Sequence, residues 1–177
     1  MTELPAPHGQ GDYRVGVVCL GNICRSPMAE VVLTERLAEL GVGDRVVVDS
    51  CGLGGWHAGN PMDHRAAASL AAAGYDASQH RARQITAGWV DPDHPSDGHD
   101  LLLAMDATHL GELLDSGADP DRVRMFRDFD PIDPGADVPD PYYGGDDGFK
   151  EVLAMIERSS KTLAALLARH LQAPEAR

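Results

Sequence analysis

The stretch Cys19-Leu20-Gly21-Asn22-Ile23-Cys24-Arg25-Ser26 places a cysteine and an arginine at the two ends of a five-residue spacer, with a serine directly after the arginine. A loop of that length can close around a tetrahedral oxyanion. Its backbone N–H groups then point inward and form an anion nest at a helix N-terminus. Arg25 adds a planar fork of donors that matches two oxygens of such an ion. Gly21 permits backbone geometry that a side chain would obstruct. The positive surroundings favour Cys19 as the thiolate, which is the nucleophilic form. Ser26 is placed to donate its hydroxyl to that sulfur and to ease its later departure, and Asn22 to hydrogen-bond the loop's own backbone. No Gly-Lys-Ser/Thr follows, so this is not a nucleotide-type phosphate loop. The bland alternative is an inert strand-end cysteine beside a surface arginine. Placement between a buried strand and a helix started by Pro27 argues against it.

Transfer of a phosphoryl group to cysteine also needs a proton for the departing oxygen. Asp140-Pro141-Tyr142-Tyr143 offers a carboxylic acid beside aromatic rings, surroundings that favour the protonated acid. Asp-Pro is also a common turn start. Asp128, Asp130, Asp133 and Asp137 lie in the same Asp-, Pro- and Gly-rich stretch. Local sequence does not choose among these carboxylates.

The elements that must position these groups follow from the apolar pattern. Val15–Leu20 reads as a buried strand. Ser26 reads as an N-cap with Pro27 at the first helical position, and Ala29, Val32, Leu33, Leu37 and Leu40 continue at helical spacing to Gly41. Val46–Val48, Leu101–Met105 and Val123–Phe126 read as further strands. Helices are expected over Asp63–Ala73, from an Asp106 cap through Leu114, and after Gly148. The last carries Phe149, Val152, Leu153, Ile156, Leu163 and Leu167 on one face. This alternation predicts an α/β fold, a doubly wound parallel sheet flanked by helices. Ligands of such sheets sit beyond the carboxyl ends of the strands, where the Cys19–Ser26 loop lies. Trp89–Asp100 reads as a polar surface loop. Residues 13–171 are expected to form a single domain, with 1–12 a disordered lead and 172–177 a tail.

Composition narrows the class. The chain has 177 residues, enough for one core, and 15 Lys plus Arg against 28 Asp plus Glu give a net charge of −13. That balance argues against a surface that tracks nucleic acid or anionic lipid, though not against a positive pocket. No apolar run approaches a membrane span, and the first residues lack the basic start and apolar centre of a signal peptide. The odd cysteine count, Cys19, Cys24 and Cys51, suits a reducing, cytoplasmic compartment. Cys51 reads as a small buried apolar residue. Cys24 reads as a spacer or as a redox partner of Cys19. His57, Asp63 and His64 fit no standard metal-ligand spacing, so no metal is expected. Trp56, on a Gly-rich stretch, reads as an exposed contact for an aromatic ligand.

The segments Val18–Glu30, Gly55-Trp56-His57, His80-Arg-Ala-Arg-Gln84 and Asp140-Pro-Tyr-Tyr-Gly144 occur in that order. In them the chain closely resembles the low-molecular-weight protein tyrosine phosphatases, from about Val15 to about Leu167. The resemblance implies a four-stranded parallel sheet and no metal or organic cofactor. It implies that Cys19 is the nucleophile, Arg25 the phosphate clamp, and Asp140 the general acid and then the base that activates water. Leu20 to Ser26 would bind phosphate, with Asn22, Ser26 and His80 supporting the loop. Ile23, Trp56, Tyr142 and Tyr143 would wall the substrate cleft. Phosphotyrosine-containing proteins would be the partners and phosphate-like oxyanions the inhibitors. Cys51 and Leu53 depart from the alanine and threonine usual there, and the Trp89–Asp100 loop is a few residues longer than usual. Three rivals share the fold: an arsenate reductase, a phosphoarginine phosphatase and a non-catalytic phosphotyrosine-binding module. Arsenate reductases relay a disulfide through further downstream cysteines, and no cysteine follows Cys51 here. Members that act on phosphoarginine carry threonine at the position of Ile23. A pure binder has no need of a nucleophile. The Ala- and Arg-rich, Lys-poor composition suggests a bacterial source.

Overall fold

A computed structural model describes residues 3–172. Strand β1 (Tyr13–Cys19) is central. It pairs in parallel with β2 (Val46–Gly52) on one side and with β3 (Leu101–Ala104) on the other, and β3 pairs in parallel with β4 (Val123–Met125). The sheet order is β2-β1-β3-β4. Helices α1 (Arg25–Glu39), α2 (His64–Ala72), α3 (Ala107–Asp115) and α4 (Asp146–Gln172) connect and close it. The α/β architecture expected from the sequence is therefore present. None of the described helices is long and apolar enough to cross a membrane.

Alternation along the strands sorts side chains into two layers. Val15, Val17 and Cys19 of β1, with Leu101 and Leu103 of β3, pack against Met28, Val32 and Leu33 of α1, Leu70 of α2 and Phe149, Val152, Ile156 and Leu163 of α4. Val18, Leu102 and Ala104 face the other way, onto Leu113 of α3 and onto Trp89. Gly16 also faces that side. A methyl group there would lie 2.7 Å from the Trp89 ring and 2.8 Å from His99. The chain leaves β1 for β2 on one side and β3 on the other, so a crevice opens at the carboxyl ends of β1 and β3.

Four expectations need correction. Helix α1 begins at Arg25 with Cys24 as an N-cap that makes no side-chain cap bond; the Ser26 hydroxyl is engaged elsewhere, as described below. The segment Trp89–Asp100 is not simply a polar surface loop. Trp89 is buried and stacks on His99 at 4.1 Å, and His99 hydrogen-bonds Asp49, because the loop must cover the sheet face bared at Gly16. Residues 3–12 have no regular secondary structure, yet they are not a free lead. Leu4 joins the core, the Tyr13 hydroxyl donates to Pro5 C=O at 2.9 Å, and Arg122 donates to Ala6 C=O at 3.1 Å. Finally, β2 runs to Gly52, well past Val48. Helix α4 is described through Gln172, and the rest of the expected tail lies outside the described residues.

Candidate active site

The loop after β1 curls back over the carboxyl end of β2. It can lie that close because Gly52 has no side chain: a Cβ there would meet Gly21 at 2.9 Å and Leu20 at 3.0 Å. Asn22 turns the loop with a left-handed backbone, φ 59°, and is alone among the described non-glycine residues in doing so. Asparagine adopts that region more readily than most side chains. Its own groups lock the turn. Oδ1 accepts the Arg83 N–H at 2.9 Å, and Nδ2 donates to Ser26 Oγ and to Ser50 Oγ, each at 2.9 Å. The Asn22 C=O accepts from His80 Nε2 at 2.8 Å. Glu30 backs this network, 3.6 Å from His80 Nδ1 and 3.4 Å from Ser50 Oγ.

The buried sulfur of Cys19 is held by the same set. Ser26 Oγ lies 2.9 Å away and the Asn22 backbone N–H donates to Sγ at 3.3 Å. Ser26 Oγ accepts from Asn22 Nδ2, and its one proton has two acceptors within reach, the sulfur at 2.9 Å and the Cys51 C=O at 3.4 Å, of which the sulfur is nearer. Cys24, in the same loop, is different. Burial, helped by the nearby negative charge of Asp63, pushes its thiol up to about 12, so it stays protonated at neutral pH. Burial also raises Cys51 well above the ordinary thiol range; it is a small core residue, as its sequence context suggested.

Arg25 is buried and aimed. Its Nη1 donates to Asp106 Oδ2 at 2.8 Å and to Val138 C=O at 3.1 Å, while Nη2 stands 3.6 Å from Asp140 Oδ2. Asp106 comes from the end of β3 and doubles as the N-cap of α3 through the His109 N–H. Burial works to raise its carboxyl, but the His109 N–H and the Arg25 guanidinium hold it below the usual carboxylate range. The sequence pointed only to its capping role. Nothing local signals its contact with Arg25, which joins residues 81 apart in sequence.

Cys19, Leu20, Gly21, Ile23, Cys24 and Arg25 floor a cleft of about 330 Å³, walled by Trp56, His57, Asp140, Tyr142 and Tyr143. Trp56 and Tyr143 are 72% and 91% exposed, so they stand at the rim. The rival carboxylates are occupied elsewhere. Asp130 is buried between Arg127 and Arg158, which overcome the cost of burial and lower it to about 2. Asp128 accepts the Met125 N–H, Asp137 accepts the Ala107 N–H, and Asp133 faces Arg127 at 3.7 Å. Asp140 is the member of this group that lines the cleft. The side chains of Asn22 and Ser26, bonded to each other, and His80, bonded to Asn22 C=O, brace the loop and do not line the cleft. Asp63 caps α2 instead of joining His57, which lies in the cleft wall.

Residues 14–173 match the family model for low molecular weight phosphotyrosine protein phosphatase. The chain belongs to this family. It is 47% identical over 158 residues to the low molecular weight protein-tyrosine-phosphatase of Streptomyces coelicolor, covering 86% of this chain and 92% of that one. The crystal structure of YfkJ from Bacillus subtilis matches with a TM-score of 0.82 and 34% identity, over 93% of this chain and 99% of that one. A protein tyrosine phosphatase from Entamoeba histolytica, solved with Hepes in its active site, matches with a TM-score of 0.80 and 30% identity. That match spans 88% of this chain and 97% of that one. Membership in the low-molecular-weight phosphatases makes the protein a phosphatase. The single-domain fold with a four-stranded parallel sheet is the one shared with these structures.

Proposed function

We propose that this phosphatase hydrolyses phosphotyrosine in proteins through a phosphocysteine on Cys19, with Asp140 as general acid and then base. The observation that carries the reading is the convergence of the Cys19 sulfur, the Arg25 guanidinium and the Asp140 carboxyl on one cleft. The Cys19 thiolate attacks phosphorus, the bond from phosphorus to the tyrosyl oxygen breaks, and Asp140 gives that oxygen its proton. The Asp140 carboxylate then takes a proton from water as the water attacks phosphorus. The S–P bond breaks, Cys19 leaves as thiolate and inorganic phosphate is released. Ser26 and Asn22 N–H stabilise the sulfur at both ends of the cycle. The loop amides and Arg25 hold the equatorial oxygens, where positioned donors contribute most.

Substrate choice rests on the walls. A phosphotyrosyl ring is flat and apolar, and Ile23, Trp56 and Tyr142 offer it apolar and aromatic contact. Such aromatic contacts contribute roughly 0.5–1.5 kcal/mol beyond area burial. A phosphoarginine brings guanidinium N–H groups that the Ile23 hydrocarbon leaves unpartnered, at roughly 1–3 kcal/mol each when buried. An arsenate reductase needs downstream cysteines, and Cys51, the last in the chain, is buried in the core. Phosphate-like oxyanions act as inhibitors by filling the loop, and the three cysteines suit the reducing cytoplasm.

The test is Cys19→Ser. A hydroxyl does not ionise here, so phosphate release from phosphotyrosine peptides should fall on the order of 10³-fold or more while inorganic phosphate still binds. Wild-type release should favour phosphotyrosine over phosphoarginine, with no arsenate reduction. Substantial turnover by the serine variant, or equal specificity constants for the two phosphoamino acids, contradicts the proposal.

A further inference from the structure

The segment that carries Asp140 is thinly tied down. Among the described residues, the hydrogen bond that reaches 139–144 from another element comes from Arg65, whose Nη1 donates to Gly144 C=O at 3.4 Å; Arg25 Nη2 adds an ionic contact with Asp140 at 3.6 Å. The guanidinium carbon of Arg65 also lies 5.4 Å from the centroid of the Tyr142 ring and 4.8 Å from that of Phe149. It is therefore packed between the cleft wall and the start of α4, at distances where a cation is attracted to a ring face. Its other side is gripped by Asp63, which accepts from Arg65 Nε at 3.2 Å and from Nη2 at 3.0 Å. Asp63 in turn donates its backbone N–H to Ile23 C=O at 2.9 Å, inside the phosphate-binding loop. At the far end, the Tyr142 N–H donates to Asp140 Oδ1 at 3.1 Å.

These contacts form one continuous linkage: Ile23, Asp63, Arg65, Tyr142, Asp140. We propose that Arg65 is a positioning residue that sets the Asp140 carboxyl and the Tyr142 ring against the phosphate-binding loop. It touches neither phosphate nor the reacting atoms and acts through Tyr142 and Gly144. The inference rests on the reading of Asp140 as proton donor. A proton donor works only within hydrogen-bond reach of the departing oxygen, and a small displacement of such a group costs rate steeply. Arginine suits the task because its planar face packs on rings while its edge pairs with a carboxylate.

The experiment measures kcat/KM for a series of aryl phosphates whose phenols differ in acidity, with Arg65→Met, Arg65→Lys and Asp140→Asn, alongside the inhibition constant for inorganic phosphate. A good leaving group such as nitrophenolate needs little protonation, whereas phenolate needs it fully. Arg65→Met should leave nitrophenyl phosphate within about three-fold of wild type and lower phenyl phosphate roughly ten-fold or more. Phosphate inhibition should be unchanged. Arg65→Lys keeps the charge but loses the planar fork, so it should tilt the series the same way by less. If Arg65→Met does not fold, the lysine variant carries the test. An even loss across the series, or no loss, in folded Arg65 variants overturns the inference. If Asp140→Asn tilts the series and the Arg65 variants do not, the inference alone falls. If Asp140→Asn itself shows no tilt, the acid assignment and this inference fall together.

Discussion

The two loops that meet in the cleft are built on opposite principles. The loop from Cys19 to Ser26 is buried beneath its rim and held by hydrogen bonds from several elements: Arg83, Ser50 and His80 on Asn22, and Asp106 on Arg25. The Asp140 loop is exposed, with Tyr143 almost fully in solvent, and it is held mainly at its base. There Asp130 is gripped by Arg127 and Arg158, and the Val138 N–H donates to Met105 C=O at 2.8 Å. The difference fits what each would do in the proposed reaction. An oxyanion nest is effective when its donors are already oriented, because no reorganisation is left for the moment of reaction. A proton donor and an aromatic wall must let a protein-borne ring in and phosphate out, which a rigid lid would prevent.

The sharpest way to separate the loops is Asp140→Asn. It should cut kcat/KM for phosphotyrosine by about 10²- to 10⁴-fold while leaving phosphate inhibition intact. Loss of phosphate binding in a folded Asp140→Asn protein would mean the two loops are not separable. Next comes the rigid side. Asn22→Ala removes the amide that bonds Arg83, Ser26 and Ser50 and leaves a left-handed backbone that alanine resists, so it should cost roughly 1–3 kcal/mol of stability. Phosphate affinity should fall with turnover, the reverse of the Asp140 pattern. Asn22→Gly accepts the backbone and lacks only the bonds. Measured by denaturant titration, it should recover part of the stability but not the affinity.

The base of the Asp140 loop should behave as structure, not chemistry. Asp130→Asn strands Arg127 and Arg158 and should cost roughly 3–5 kcal/mol at neutral pH, with kcat/KM of the folded fraction within a few-fold of wild type. The pH dependence has a definite sign. The Asp130 carboxyl is depressed in the folded state, so its contribution is complete above the unfolded value near 3.9. That contribution fades as pH falls toward about 2. The gap between wild type and variant in thermal melts should therefore close in that window and nowhere above it.

The smallest effect is expected at Cys24, which lies in the rigid loop but has no role in the proposed reaction cycle. Cys24→Ala should change kcat/KM less than about three-fold. The role we propose for it is redox: peroxide would convert the Cys19 thiolate to sulfenic acid, and the Cys24 thiol would condense with it to a disulfide, releasing water. Activity recovered with a thiol after mild peroxide should be lower in Cys24→Ala than in wild type. Equal recovery removes the protective role.

Much of this architecture is legible in sequence because it is local. An apolar strand, a Gly-containing loop and a Pro27 in the first helical turn point to where the loop lies, and the spacing of Cys19 from Arg25 points to an oxyanion as its ligand. Asp106 can be recognised as the cap of its helix, whereas Asp63, expected inside α2, caps it. The Trp89–Asp100 segment misleads because its polar composition masks two buried rings, Trp89 and His99, which fill the space over Gly16. The start of α1 misleads because Ser26 looks like a cap when its hydroxyl serves Cys19.

What the sequence alone offered was a set of reactive groups: a cysteine and an arginine spaced to close a loop around an oxyanion, and several acids among which local sequence did not choose. The resemblance pointed to Asp140, and the tertiary structure shows that Asp140 lines the cleft, that Asp106 bonds Arg25, and that Arg65 contacts Asp63, Tyr142 and Gly144. Those choices depend on contacts between residues tens of positions apart. A hydrophobic period or a turn signal reports on neighbours within a few residues. The meeting of Arg25 with Asp106 and Asp140 exists only once parallel strands have brought their carboxyl ends to one edge of the sheet.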